Sequence, residues 1–235
     1  MGNPIVSCVE SVNNKSRVYT MSTQDKHLLL VFEPLDESSI DDIVFKLICD
    51  AIRELFTRSE SFIATSFMAG NTSMVTQMIT TFINAYLEER LNDEDYALYK
   101  KEYLASLIMS FYSRNFDLLQ SFSFGGGVVL GVKKKLVEPV VIMPYYFHDL
   151  SKSNAYIYMA TSSIENFNDR GVYDKIIIPS CETLKIMELD RKTKKVLITG
   201  SDLEIQQYFE NERINTSVAS LTFKDRETLF RKRCK

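Results

Sequence analysis

Three of the eight glycines in this 235-residue chain stand together at positions 125–127, and the hydrophobic period changes across them. Before the triad, apolar residues recur at i, i+3, i+4 and i+7 over long stretches, the spacing of amphipathic helices. After it, short β-branched runs alternate with proline and polar turns, the pattern of strands. Segregated helices and strands point to an α+β fold rather than to alternating β-α-β units.

The chain opens with a β segment. Residues 5–9, 17–21 and 27–32 are short apolar runs separated by Asn13-Asn14 and Gln24-Asp25, and Pro34 closes the segment. A three-helix block over 37–122 follows. In its first helix Ser38 or Ser39 caps the start, Asp41 and Asp42 sit in the first turn, and Ile40, Ile43, Val44, Leu47, Ile48, Ala51, Ile52 and Leu55 make the stripe. Residues 59–70 follow neither period. The second helix starts at Asn71 or Thr72 and carries Met74, Val75, Met78, Ile79, Phe82, Ile83, Tyr86 and Leu87. The third starts at Asn92 or Asp93; its stripe runs through Tyr96, Tyr99, Tyr103, Leu104, Leu107, Ile108, Phe111 and Tyr112, and weakly on to Leu119. The short polar link between the last two predicts an antiparallel helical hairpin.

Beyond the glycines, strands are predicted at 128–132, 137–143, 156–160, 172–178, 184–189 and 196–199, with 190–194 as a polar turn. A helix over 202–212 and a strand over 218–223 precede a basic terminus. Short connections predict a mostly antiparallel C-terminal sheet. Three short strands are marginal alone, so the first β segment is expected to join that sheet, giving one α+β domain over 1–235 with the helical block 37–122 inserted. The other division falls at 125–127, into 1–124 and 128–235.

Charge is unevenly spread. Lys and Arg number 10 against 17 Asp and Glu before the triad, and 18 against 14 from it onward. The last twelve residues hold six of the cations: Lys224, Arg226, Arg231, Lys232, Arg233 and Lys235. With a net charge of −3 there is no overall basic field for nucleic acid, so contact with a polyanion or an anionic membrane falls to this tail. The four cysteines are far apart and lack metal or redox spacing, and Cys49 lies on an apolar helical face as a core residue. No apolar run reaches a membrane span and no leader pattern opens the chain, which points to the cytoplasm. Gly2 has Val6 where a myristoylation signal needs Ser or Thr. Without a leader, the sequons at Asn14, Asn71 and Asn215 are chance matches.

No phosphate loop is present. After Gly125 and Gly127, position 130 is Leu130, no Gly-Lys-Ser/Thr follows, and the glycines lead into a strand. Their role is a tight turn or corner. Gly70-Asn71-Thr72-Ser73 opens a helix without a cation beside it and reads as an ordinary cap. His148 beside Asp149, in a Tyr-Tyr-Phe-His-Asp run, is a candidate acid–base group. Arg17 at the start of an early strand, Ser162 after the run Tyr158-Met159-Ala160-Thr161, and Glu188 further on resemble, in order, the Arg, Ser-Thr-Ser, Glu series of the ADP-ribosyltransferases. The resemblance covers isolated residues, and the family's final paired-glutamate element is not clearly present. It would imply that Arg17 and a hydroxyl position NAD while Glu188 acts at the sugar.

With no nucleotide loop, metal cluster or nucleophile motif, the chain reads first as a non-catalytic interaction or structural subunit of a larger assembly. It would have a protein partner or homo-oligomer, no cofactor and no metal. The Met- and aromatic-rich stripes of the second and third helices read first as core, and in that reading they also offer a partner surface. The alternative is an enzyme acting on a nucleotide-containing substrate. The third is a peripheral membrane protein using Gly2 or the tail.

Overall fold

A computed structural model of the chain describes residues 4–10, 16–34, 42–69, 71–102, 105–116, 118–124, 127–133, 135–143, 173–214 and 217–223. The predicted strands at 156–160, His148, Ser162 and the basic tail lie outside these residues. The fold is α+β, with N-terminal strands, a helical block and antiparallel sheets.

The governing element is β3 (Lys26–Pro34), whose Leu28, Leu29, Leu30, Val31 and Phe32 are all fully buried. Side chains alternate across a strand, so Leu28, Leu30 and Phe32 face one apolar cluster and Leu29 and Val31 another. Strand β3 therefore lies in an inner layer, covered on both faces. It pairs antiparallel with β2 (Arg17–Ser22) and with β4 (Ala105–Ser113), and β4 pairs with β5 (Leu118–Phe124), giving a four-stranded sheet in the order β2-β3-β4-β5.

A second sheet stacks on it. Its order is β1 (Ile5–Glu10), β9 (Ser217–Thr222), β8 (Lys175–Pro179), β6 (Gly127–Lys133) and β7 (Leu136–Met143), antiparallel throughout. Leu29, Val31 and Ile108 of the first sheet meet Val129, Ile176, Ile178, Ala219 and Leu221 of the second. Strand β1 thus joins the later sheet as expected, whereas β2 and β3 build the other.

Helices cover both outer faces. On the first sheet lie α1 (Asp42–Arg58), α2 (Glu60–Met68) and α3 (Thr72–Arg90), with Phe56 of α1 against Phe111 at 4.6 Å between ring centres. Cys49 is buried in this layer, and burial pushes its thiol well above the ordinary range, so it is an inert core residue. Helix α4 (Asp93–Glu102) follows α3, with Asn92 accepting from the Asp95 amide at 2.8 Å. On the second sheet Ile177, Leu130 and Val218 meet Met187, Leu197, Ile205 and Phe209 of α5 (Cys181–Leu189), α6 (Arg191–Thr199) and α7 (Asp202–Glu212).

Several element boundaries differ from the sequence pattern. The third predicted helix stops at Glu102, and its later stripe is strand β4: Leu107, Met109 and Phe111 face the helices, while Ile108 and Tyr112 face the second sheet. A strand buried on both faces offers apolar residues at consecutive positions, which satisfies helical spacing as well. Residues 184–189 and 196–199, expected as strands, are helical. Ser180 accepts from the Thr183 amide and starts α5. Asp190, expected in a turn, ends α5 and starts α6 by accepting from the amides of Lys192 and Thr193. Ser201 and Glu204 form a reciprocal cap on α7. The glycine corner also moves: Gly127 begins β6, so the chain there passes from one sheet to the other rather than from helices to a sheet. Its φ is 122°, and a Cβ there would run into Ile108.

One buried ionic group ties helix to sheet. Lys26 Nζ lies 2.9 Å from Glu60 and donates to the Thr57 carbonyl at 3.0 Å, while Ser113 Oγ donates to the same carboxylate. Removing one partner leaves the other charged and desolvated, so Glu60→Ala is expected to cost about 3 kcal/mol in a denaturant titration.

Nearby, His27 is 1 % exposed; its Nδ1 lies 2.8 Å from Ser22 Oγ and its Nε2 has no partner. Burial, reinforced by Arg114, lowers its pKa. The unfolded chain then binds the proton more readily, so stability is full above the ordinary value near 6.5 and declines below it. Melting curves between pH 7.5 and about pH 5 should show this loss, and His27→Gln should flatten it.

Candidate functional site

At one end of the sandwich, strand ends from both sheets bring polar side chains together. Glu10 ends β1 opposite Ser217, the first residue of β9. Arg17 starts β2, Glu33 stands near the end of β3, and Asp42 starts α1. Strand β8 ends at Pro179, which places Ser180 and the start of α5 at this same end.

Hydroxyl groups join the two sheets. Ser180 N donates to the Ser217 carbonyl at 2.8 Å, and the Ser180 and Thr183 hydroxyls lie 2.9 Å apart. Ser217 N donates to Thr183 Oγ1, and Ser217 Oγ donates to the Ser16 carbonyl, each at 3.3 Å. Ser16 Oγ in turn donates to Glu33 Oε1 at 3.2 Å. Ser16, Glu33, Ser180, Thr183 and Ser217 are all buried. The chain of bonds thus runs from α5 through β9 to the carboxylate on β3. Glu33→Leu should break its last link and lower stability by about 2 kcal/mol in a chemical melt.

Arg17 stands at the outer edge of this group with its side chain about one-third exposed. Its Nη1 is 3.4 Å from Glu10 Oε1 and its Nη2 3.2 Å from Asp42 Oδ1. The other Glu10 oxygen accepts from the Val18 amide at 3.0 Å. Two carboxylates therefore fix the plane of the guanidinium. A guanidinium carries five N–H donors, so the fork keeps capacity for a planar or tetrahedral oxyanion. Asp42 lies in the first turn of α1, where the helix dipole favours negative charge.

Of the described residues singled out as site candidates from sequence, Arg17 stands in this group and Glu188 does not. Glu188 lies exposed near the end of α5, a helix and not the strand expected, and Arg17 pairs with Glu10 and Asp42 instead. Arg17 and Glu188 are therefore not brought together, and Ser162 lies outside the described residues. Sequence reasoning did not single out Glu10, Ser16, Glu33 and the hydroxyls at 180, 183 and 217. Their only local signal is position, each standing at or near a strand end or a helix cap. Elsewhere, Asp190 is held well below the usual carboxylate range by the Thr193 hydroxyl and the amides it caps, which is a structural role.

No family model and no curated protein matches this sequence. Solved structures do. A bacterial serine phosphatase superposes with a TM-score of 0.55 at 11% identity, over 95% of this chain and 98% of its own. The serine/threonine phosphatase Stp1 from Staphylococcus aureus gives 0.54 at 12% identity, covering 96% of both chains. RsbX, in complex with magnesium, gives 0.52 at 10%, covering 93% of this chain and 92% of its own. The fold is thus the one seen in these phosphatases. The likeness overturns the expectation of a non-catalytic interaction or structural subunit, and of a structural protein built to oligomerise. That expectation rested on missing local motifs. A sandwich that gathers its polar groups from strand ends far apart in sequence leaves none to find.

The magnesium complex raises the question of whether this chain's residues suit such an ion. Among the described residues no three His, Cys, Asp or Glu gather as a metal-binding group. Glu10 has both oxygens occupied by protein donors, and Asp42 faces a guanidinium. A magnesium ion is held through one or two carboxylates with water at its other positions, and the described residues do not fit it, because the two carboxylates that converge here do so on the Arg17 guanidinium.

Proposed function

We propose that this chain is a hydrolase of the serine phosphatase type, acting on phosphoserine in a protein substrate. The observation that carries the reading is the Arg17 fork, held by Glu10 and Asp42 where both sheets end, in a fold shared with serine phosphatases. In this reading Arg17 takes two phosphate oxygens through its remaining N–H donors. The start of α1 adds favourable dipole beside them. These directed donors must act against the negative charge of the neighbouring carboxylates, so affinity comes from geometry rather than from a positive field. Water attacks phosphorus and passes its proton to a carboxylate. Asp42, the most exposed at 79%, is the group placed for it. The bond from phosphorus to the serine oxygen breaks, and that oxygen leaves as the hydroxyl by taking a proton from solvent water, while Asp42 returns its own proton to solvent.

The pairing of β1 with β9 supports residues 1–235 as one domain. No helix among the described residues is long and apolar enough to cross a membrane, and we place the protein in the cytoplasm. The partner is then the phosphorylated protein itself. Release of inorganic phosphate from a phosphoserine peptide tests the activity. Arg17→Ala should lower kcat/KM by roughly 100-fold, the loss seen when one preorganised donor is removed, with the melting temperature nearly unchanged. Failure of the wild-type protein to release phosphate would sink the proposal.

A further inference from the structure

We infer that the Arg17 end of the sandwich works without a divalent cation, because the guanidinium supplies from within the chain the positive charge around which Glu10 and Asp42 gather. The inference rests on the phosphatase reading for what the site does, but not for what the site contains. Two carboxylates from distant elements, the last residue of β1 and the first of α1, converge on one group. In an anion-binding fold such convergence calls for a cation, since like charges brought together repel. Here the cation is Arg17, with contacts of 3.4 and 3.2 Å.

Among the described residues, two features work against a second one. Glu10 Oε2 is committed to the Val18 amide, so this carboxylate has no oxygen without a protein donor. A metal ion bridging Glu10 and Asp42 would also have to sit beside the guanidinium and be repelled by it. The site is thus independent of metal supply.

The test uses the full chain and Mn2+ alone as the probe. Calorimetric titration and thermal melts of the wild-type protein should show no Mn2+ binding at millimolar concentration, and phosphoserine hydrolysis should persist in EDTA. Mn2+ binding that raises the melting temperature and is lost in Glu10→Gln would overturn the inference, as would hydrolysis that stops in EDTA and returns with Mn2+. In Arg17→Gln the carboxylates lose their internal cation, and weak Mn2+ binding should appear; Arg17→Lys, which keeps the charge, should stay indifferent. An Arg17→Gln protein that folds and remains as indifferent as the wild type would remove the guanidinium from its assigned role. Absence of hydrolysis in every buffer would defeat the phosphatase reading alone, and the Mn2+ titrations would still decide this one.

Discussion

The structure depends on burying β3 on both faces. Five consecutive apolar side chains, Leu28 to Phe32, are removed from water, and none can face solvent without losing roughly 2 kcal/mol. A strand so covered needs a layer on each side. The helices α1 and α3 supply one, and the sheet containing β8 and β9 supplies the other. Everything else follows from this stacking. The second sheet acquires its own outer helices because Ile177, Leu130 and Val218 would otherwise be bare. The strand ends line up at the two rims because both sheets are antiparallel.

The two rims differ in chemistry. At one, the Lys26–Glu60 pair with Ser113 is buried and helps lock α2 to the sheet. At the other, Arg17 and Asp42 reach solvent while the hydroxyl chain beneath them is buried. A buried ion pair that spans helix and strand has a structural role. A guanidinium held flat by two carboxylates at a solvent edge is suited to receive an anion. Both rims carry charge, and it is exposure together with donor geometry that distinguishes them.

Much of the α+β organisation was legible in the sequence, because strands β1 to β3 and helices α1 and α3 carry clean signals of period and turn. The parts that were not legible share a physical cause. Strand β4 has both faces covered, so its apolar residues fall at neighbouring positions and mimic a helix. Helices α5 and α6 have nine residues each and Asp190 as a shared boundary, too little length for a period to declare itself. The site was the least legible. Arg17 stood out only as the first member of the Arg, Ser-Thr-Ser, Glu series, whereas Glu10, Glu33, Asp42 and Ser217 become its neighbours only when the elements pack. None of those contacts has a fixed spacing along the chain.

The pairing of β1 with β9 carries a consequence for how this chain acquires its fold. Residues 5–10 lie at the edge of their sheet, and β9, about two hundred positions later, is their neighbour in it. During synthesis from the N-terminus, the first strand emerges with its ladder partner still unmade, and loop closure over that separation is entropically slow to reach. The helical layer and the β2-β3-β4-β5 sheet can be completed well before then, since their last strand ends at Phe124. The order of assembly is thus written into the strand order: one half-sandwich can consolidate early, while the other waits for its final strand. Glu10, the residue that orients Arg17, waits with it.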